Sequence, residues 1–130
     1  MTLAPARAWA AEVQVIVTNV RNDAGHVHVA LCTQDTFLTD ACPIHATAAA
    51  QAGGTVVIVP NVPPGTWAVQ VFHDENDNEE TDMNAMGMPT EGVGFSNNPP
   101  FKFGPPRWSD ASFQLGEEGG RIVLRLRYFN

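Results

Sequence analysis

Short runs with an apolar side chain at every second position are the feature that most limits how this chain can fold. Residues 13–17 read Val-Gln-Val-Ile-Val, and residues 27–31 read Val-His-Val-Ala-Leu. Similar runs lie at residues 55–60, 66–73, 111–115 and 121–128. A period of two places the apolar side chains on one face of a β-strand. In a chain of 130 residues, these runs predict an all-β fold, a single six- to seven-stranded antiparallel β-sandwich.

The segments between the runs are rich in turn-forming residues. Residues 21–25 (Arg-Asn-Asp-Ala-Gly) and 61–65 (Asn-Val-Pro-Pro-Gly) each separate two predicted strands. This arrangement predicts two β-hairpins, one from residues 13–31 and one from residues 55–73. The alanine-rich residues 44–52 fit either an irregular edge strand or a short helical turn. Residues 74–110 lack periodicity, and so long a connection is usually functional or disordered.

The chain has the length of one domain, which we expect to cover residues 11–130. Residues 1–10 end in Ala8-Trp9-Ala10, a small-x-small pattern typical of signal-peptidase cleavage. They are interpreted as a signal-peptide remnant or a disordered N-terminus. Cys32 and Cys42 would pair in an oxidising compartment and close the loop between them. Together these features predict a periplasmic or secreted protein, and no segment has the ~20 apolar residues of a membrane-spanning helix.

The charges of this chain are distributed unevenly. It has 14 acidic and seven basic residues, a net charge of −7, and no Lys or Arg occurs between Arg21 and Lys102. Half of the acids fall within one segment: Asp74, Glu75, Asp77, Glu79, Glu80, Asp82 and Glu91. A neutral body with one acidic loop indicates a cation site in that loop. It argues against nucleic-acid binding, which needs a basic face.

The spacing of oxygen-bearing side chains in this loop is typical of calcium-binding loops. Asp74, Asn76 and Asn78 are separated by two positions, and Asp82 follows four later. On a tightly curled backbone, alternate side chains turn inward and converge on one hard cation. The predicted calcium ligands are Asp74, Asn76, Asn78, Glu80 (through its carbonyl), Asp82 and Asn84.

The match to an EF-hand loop is incomplete. Glu79 stands where such a loop has Gly, and Ala85 stands where it has a bidentate Glu. A further ligand would have to come from Asp77, Asn84 or Glu91. The alternative is a solvated acidic loop that Asx-turns hold in place.

Two other kinds of metal site are open. Met83, Met86 and Met88 together with His73 offer soft donors for copper(I), although methionines more often pack beneath a loop. His26 and His28 share one strand face and would be able to chelate a metal, but a polar strand face explains them equally well.

A small hydrolase is the remaining alternative, with His73 and Ser96 as its catalytic pair. The sequence around Ser96 is Gly-Phe-Ser-Asn-Asn, which is not a nucleophile elbow. The leading hypothesis, from the oxygen spacing and the localised charge, is a calcium-stabilised binding or accessory module whose partner is an unknown protein or small molecule. The residues expected to face that partner are His73, Glu91, Phe95, Ser96, Asn97 and Asn98.

Three stretches of the sequence resemble a family of exported bacterial proteins, domain of unknown function 2141. They are residues 64–69 (Pro-Gly-Thr-Trp-Ala-Val), residues 73–78 (His-Asp-Glu-Asn-Asp-Asn) with Asp82 and Asn84, and residues 87–98. Residues 19–22 and 106–111 also fit. The resemblance implies a transthyretin-like or prealbumin-like β-sandwich and export to the periplasm or beyond, with no established activity.

Two related groups of domains refine this expectation. The Pro64-Gly65-x-Trp67 turn is similar to the P-G-x-Y element of carboxypeptidase regulatory domains, which are noncatalytic sandwiches. Hydroxyisourate hydrolase is transthyretin-like as well, but its Tyr-Arg-Gly-Ser ending is absent from this chain, which closes Tyr128-Phe129-Asn130. The resemblance therefore favours a binding module over an enzyme, although a shared fold does not determine function.

Overall fold

The computed structural model describes residues 11–78, 91–100 and 105–129. They form eight strands and one single-turn helix. The elements in chain order are β1 (Ala11–Val20), β2 (His26–Cys32), β3 (Ile44–Ala49), β4 (Gly53–Val62), β5 (Gly65–Asp74), β6 (Gly92–Phe95), α1 (Trp108–Ala111), β7 (Phe113–Leu115) and β8 (Gly120–Arg125). No helix within these residues is long and apolar enough to cross a membrane.

The strands form two sheets that pack face to face. One has the order β4-β1-β8, and the other has the order β3-β2-β5-β6, with β7 paired to β5. The alternating residues fill the space between them, and Val13, Val15 and Val17 of β1 are fully buried. On the opposite sheet, Val69 and Val71 belong to the same apolar core. The predicted all-β sandwich is confirmed, although the described residues form eight strands instead of the predicted six or seven.

Both predicted hairpins are wrong. β1 lies in the first sheet and β2 in the second, and the same is true of β4 and β5. Residues 21–25 and 63–64 therefore carry the chain across the sandwich, a distance of about 10 Å between packed sheets. Two amphipathic strands bury their apolar faces equally well side by side or facing each other, so the alternating pattern alone does not choose between these arrangements.

The pairing differs from the prediction in one more respect. β1 pairs with β8 in parallel, with Val13 opposite Gly120 and Thr18 opposite Arg125, whereas the other strand pairs are antiparallel. Residues 44–49 form an edge strand, one of the two structures that their composition allowed. Cys32 and Cys42 form a disulfide, as predicted.

Candidate functional site

The acidic segment begins at the end of β5 with a buried carboxylate. Asp74 is fully buried, and its Oδ2 atom lies 3.0 Å from Nε2 of His28 on the neighbouring strand β2. Its Oδ1 atom accepts a hydrogen bond of 3.1 Å from the backbone N–H of Asn78. The first predicted calcium ligand is thus held in a fixed orientation by two different parts of the chain.

The backbone after Asp74 curls back on itself, as the spacing of oxygen donors predicted. The Asp77 N–H donates to the Asp74 carbonyl at 3.4 Å, and Asp77 has a left-handed φ of 55°. The Oδ1 atom of Asn76 accepts from the Asn78 N–H at 3.3 Å. Because Asp74 Oδ1 accepts from that same N–H, the two side-chain oxygens converge on one point. The Asx-turns of the alternative interpretation are therefore present as well.

The structure brings together only some of the predicted ligands. Asn76 and Asn78 are exposed at the start of the loop, whereas Glu80, Asp82 and Asn84 lie outside the described residues. Within the described ranges, no group of three or more His, Cys, Asp or Glu residues is arranged to hold a metal ion. The described part of the loop thus brings together one carboxylate, that of Asp74, and one amide, that of Asn76.

Glu91 connects the two ends of the acidic segment. It is buried, and its Oε2 atom accepts hydrogen bonds from the backbone N–H groups of Glu75 at 2.9 Å and Asn76 at 3.4 Å. A carboxylate just before β6 therefore binds the first turn of the loop that leaves β5. This contact explains its burial and leaves it no partner-facing surface.

A pair of charged residues holds the same turn from the outside. The Arg21 guanidinium donates to both carboxylate oxygens of Glu75, at 2.8 and 2.7 Å, and Asn22 adds a third hydrogen bond at 2.8 Å. The hydrogen bond from Arg21 lowers the pKa of Glu75 below its usual value, against the effect of partial burial. Arg21 also lies over the Tyr128 ring, 4.4 Å from its centroid. This first turn of the loop, residues 74–78 (the loop base), is therefore connected through Arg21 to Tyr128, which follows β8.

His73 has a structural role in this arrangement. It is fully buried, and its Nε2 atom lies 2.7 Å from the Ala24 carbonyl, which accepts only, so Nε2 carries a hydrogen. Its Nδ1 atom lies 3.0 Å from the Tyr128 hydroxyl, which in turn accepts from the Arg21 N–H at 2.9 Å. Both ring nitrogens are therefore engaged inside the protein.

The predicted hydrolase pair is not assembled. Ser96 is fully buried; its hydroxyl donates to the Ala111 carbonyl at 2.5 Å and accepts from the Val69 N–H at 2.9 Å. His73 pairs with Gly92, four positions further along β5 than Val69, which corresponds to about 13 Å along a strand. Because Ser96 and His73 do not contact each other, they do not form the predicted catalytic pair.

The other metal interpretations gain no support. Met83, Met86 and Met88 lie outside the described residues, and both nitrogens of His73 already have hydrogen-bond partners. His26 and His28 have ring centroids 6.4 Å apart. His26 binds Asp77 at 2.8 Å and His28 binds Asp74, so the two rings serve separate carboxylates.

The six residues expected to face a partner divide by exposure. Asn97 and Asn98 are exposed and Phe95 is half-buried. His73, Glu91 and Ser96 are buried, so for these three the expectation is wrong. Their polar atoms bind backbone groups and neighbouring side chains of the same domain, which a local sequence pattern does not reveal.

Sequence reasoning missed the residues that fix the loop base, namely His28, Arg21 and Tyr128. The sequence suggested for His28 either a polar strand face or metal chelation with His26, because nothing in the sequence indicated that β2 and β5 are neighbours. Tyr128 was assigned to the last strand's apolar face, and its hydroxyl contact with His73 joins residues 55 positions apart. The one available signal was the isolated position of Arg21, the last cation before a long acidic stretch.

Comparison with known proteins identifies the family. No curated protein matches this chain. A similar solved structure is that of the pilus-presented adhesin Spy0125 (Cpa), at 10% sequence identity and a TM-score of 0.33; the match covers 92% of this chain and 28% of the adhesin chain. This chain therefore spans little more than a quarter of the adhesin. The family model described as an uncharacterized protein conserved in bacteria matches residues 15–122, and the chain belongs to that family, domain of unknown function 2141.

Proposed function

We propose that this protein is an exported β-sandwich binding or accessory module whose 73–98 loop binds calcium. The observation that carries the proposal is the convergence of Asp74 Oδ1 and Asn76 Oδ1 on a single backbone N–H. A curl of this kind turns oxygens at alternate positions toward a common centre, which is how calcium loops collect hard ligands. Asn78 follows at the next alternate position.

The hydrogen bonds around Asp74 are compatible with this role. Carboxylates that bind metals are themselves held by outer hydrogen bonds, which fix their orientation. His28 and the Asn78 N–H supply such bonds to the Asp74 carboxylate. Glu80, Asp82 and Asn84 would complete the coordination.

Calcium would act by ordering the loop. Seven acids within residues 74–91 repel one another, and a divalent cation would reduce that repulsion. The ordered loop would then support the exposed Asn97 and Asn98 as part of a surface for a protein or small-molecule partner. Extracellular calcium modules bind with dissociation constants of about 10⁻⁴ to 10⁻³ M, the range expected for an incomplete loop.

Export is supported by the disulfide. Cys32 and Cys42 are both buried and bonded, and disulfides persist in oxidising compartments such as the periplasm or the exterior. Fractionation of cells producing the protein, followed by thiol labelling without reduction, tests this part of the proposal. Protein with both thiols reactive in the cytosolic fraction alone would contradict it.

The calcium proposal is tested by thermal unfolding with calcium, magnesium or EDTA. At calcium tenfold above the dissociation constant, linkage predicts a stabilisation of about 1.4 kcal/mol, or roughly 5 °C in Tm for a domain of this size. Asn76→Ala and Asn78→Ala should each reduce the shift, because each removes a side-chain ligand. Asp35→Ala, an exposed acid in the disulfide loop, is the control and should leave the shift unchanged.

The result is decisive in either direction. If calcium leaves Tm unchanged and titration calorimetry detects no binding, the loop is a solvated acidic turn and the calcium proposal fails. If Asp35→Ala reduces the shift as much as Asn78→Ala does, the effect is general charge screening and the proposal fails as well.

A further inference from the structure

The outer edge of β4 differs from an ordinary sheet edge because it carries no charge. β4 lies at one side of the order β4-β1-β8, and among residues 11–78, 91–100 and 105–129 no strand pairs with its outer edge. Its ten residues, Gly-Gly-Thr-Val-Val-Ile-Val-Pro-Asn-Val, include no charged side chain. Natural proteins usually protect an exposed edge with charges, bulges or proline. On β4 such protection lies near its end, where Pro60 coincides with an irregularity in the pairing with β1 between Val59 and Val62.

Two exposed apolar residues of β4 point their backbone groups outward. The Leu126 N–H donates to the Thr18 carbonyl, so the backbone N–H and C=O groups of Thr18 and Ile16 point toward β8. Because these groups alternate sides along a strand, those of the odd-numbered residues of β1 point toward β4. Val15 is opposite Val57, so the odd-numbered residues of β4 form the hydrogen bonds to β1. The N–H and C=O groups of Val56 and Ile58 therefore face away from the sheet.

The side chains of these same residues are exposed on the outer face of the sheet. Val56 is 51% exposed and Ile58 is 42% exposed. Ile16 of β1 is opposite Val56 on one side and Val123 on the other, and Val123 is 53% exposed. An apolar stripe therefore crosses the three-stranded sheet and reaches the open edge at β4.

We propose that two copies of this chain associate through β4, pairing antiparallel across a two-fold axis to form one continuous six-stranded sheet. In the pairing that suits the sequence, Val56 of one copy lies opposite Ile58 of the second. Each pair then exchanges both backbone hydrogen bonds, and the apolar side chains lie in cross-strand contact. Pro60 lies opposite Gly54 of the second copy, where its missing N–H ends the ladder.

The charge distribution favours a second copy of this chain as the partner, and β4 as the strand through which the copies pair. An edge without charge meets its own counterpart without repulsion, as a two-fold interface requires. β8, at the other side of the same sheet, presents Arg121 and Arg125 beside Val123, so self-pairing there would place like charges together. The Arg125 N–H also already donates to the Asn98 side chain at 2.9 Å.

The acidic loop is connected to strands other than β4. It leaves the second sheet from β5 and returns at β6, the strand that contacts the C-terminal segment through the Val93–Arg127 bridge. β4 lies at the opposite side of the first sheet from β8. The described acids of this loop, Asp74, Glu75, Asp77 and Glu91, therefore adjoin β5 and β6 and not β4, and the proposal is independent of calcium binding.

The first test is sedimentation velocity of the full chain over about 1 μM to 1 mM, a range that brackets weak and moderate homodimers. The wild type should change from monomer to dimer as concentration rises. The Val56→Glu/Ile58→Glu variant places Glu opposite Glu and should remain monomeric throughout. Val123→Glu, with the same exposure on the same face, should dimerise like the wild type. A wild type that is monomeric at every concentration, or a Glu/Glu variant that still dimerises, would overturn the proposal.

A charge-swap variant tests the pairing itself. Val56→Glu/Ile58→Lys places Glu opposite Lys in the second copy, so it should regain at least tenfold in dimerisation constant over the Glu/Glu variant. Val56→Pro removes only an outward N–H, which an edge strand tolerates, so it should stay folded and weaken the dimer. Equal association of the Glu/Glu and Glu/Lys variants would refute the Val56–Ile58 pairing, and so would a folded Val56→Pro that dimerises like the wild type.

Discussion

The Nε2 atom of His28 lies 3.0 Å from the Oδ2 atom of the buried Asp74 carboxylate. This contact joins β2 to the last residue of β5, where the acidic loop begins. The sheet therefore fixes the orientation of the Asp74 carboxylate, because the His28 ring also contacts the Thr47 hydroxyl of β3, at 3.1 Å. Loop and sheet are therefore coupled at this position.

Asp74→Ala should destabilise the fold by about 2–4 kcal/mol, since it removes the partner of the His28 Nε2 atom and one of the two acceptors of the Asn78 N–H. Urea unfolding followed by circular dichroism measures the loss. Asp77→Ala is the matched control, because that exposed carboxylate also contacts a histidine, His26, at 2.8 Å. Its cost should stay within about 0.5 kcal/mol. Equal losses in the free energy of unfolding for the two variants would show that the burial of Asp74 contributes nothing to stability.

The Arg21–Glu75 pair should make stability depend on acidity. The pKa of Glu75 is lowered in the folded protein, chiefly by the hydrogen bond from Arg21. Its contribution is therefore present above the ordinary glutamate pKa of 4.5 and is lost as the pH falls through the folded value. Glu75→Gln should flatten the decline in stability as the pH falls below the ordinary value of 4.5, because the shift of the pKa is downward.

A double-mutant cycle of Arg21→Ala and Glu75→Ala measures the size of that pair. Because the Arg21 side chain is 34% exposed and that of Glu75 18%, solvent screens the attraction, and the coupling energy should be about 0.5–1 kcal/mol. A coupling of zero, with the acid slope unchanged in Glu75→Gln, would contradict the role assigned to the pair.

Tyr128 should titrate at higher pH in the folded protein than in the unfolded chain. Burial raises its pKa above the ordinary value of 10, although the hydrogen bond from the Arg21 N–H opposes this shift. The unfolded chain then releases its proton first, so stability falls as pH rises above 10. The chain has a single tyrosine, so tyrosinate absorbance with and without urea reports this group alone.

Tyr128→Phe should abolish that absorbance change and cost about 1–2 kcal/mol, because it removes the hydroxyl that contacts His73 and accepts from Arg21. Coincident titration curves for the folded and unfolded wild type would refute the assignment. A Phe variant as stable as the wild type would show that this hydrogen-bond chain contributes nothing to stability.

Gly25 and Gly53 offer a comparison of two left-handed glycines. Gly25 has a φ of 66° and a Cβ at this position would overlap the Asp74 carbonyl, whereas Gly53 has a φ of 91° and no atom within 4 Å of the corresponding point. Gly53→Ala should cost about 1–2 kcal/mol from backbone conformation alone. Gly25→Ala should cost at least about 3 kcal/mol, since overpacking adds to that strain.

Thermal unfolding of both glycine variants gives the difference directly. Because Gly25 packs against Asp74, its replacement should also displace the loop base, which the Tyr128 titration would report. Equal Tm values for the two variants would mean that the turn moves to accommodate the added methyl group.

The sequence was sufficient to predict the strands but not their partners. Alternation at Val13, Val15 and Val17 correctly identified a strand with one buried face. The same pattern is satisfied by a neighbour beside the strand or across the core, so both hairpin predictions failed. The parallel pairing of β1 with β8 depends on contacts such as that of Thr18 with Leu124, 106 positions apart, which no local pattern encodes.

The candidate site was predictable to a similar extent. The two-residue spacing of Asp74, Asn76 and Asn78 correctly indicated a curled backbone, because that geometry is local. The roles of His73 and Ser96 were not predictable, since their partners Tyr128 and Ala111 are brought near by the fold as a whole. Residue type alone suggested catalysis, whereas burial and hydrogen bonding assign both residues to the scaffold.

The parallel pairing of β1 with β8 also has a kinetic consequence. β1 is the central strand of its sheet, yet one of its two neighbours comes more than 90 residues later in the chain. That sheet is complete only after the whole intervening sequence has been synthesised and the ends of a very large loop have met, which is entropically costly. Folding should therefore be slow for a domain of this length, with β8 docking as a late step.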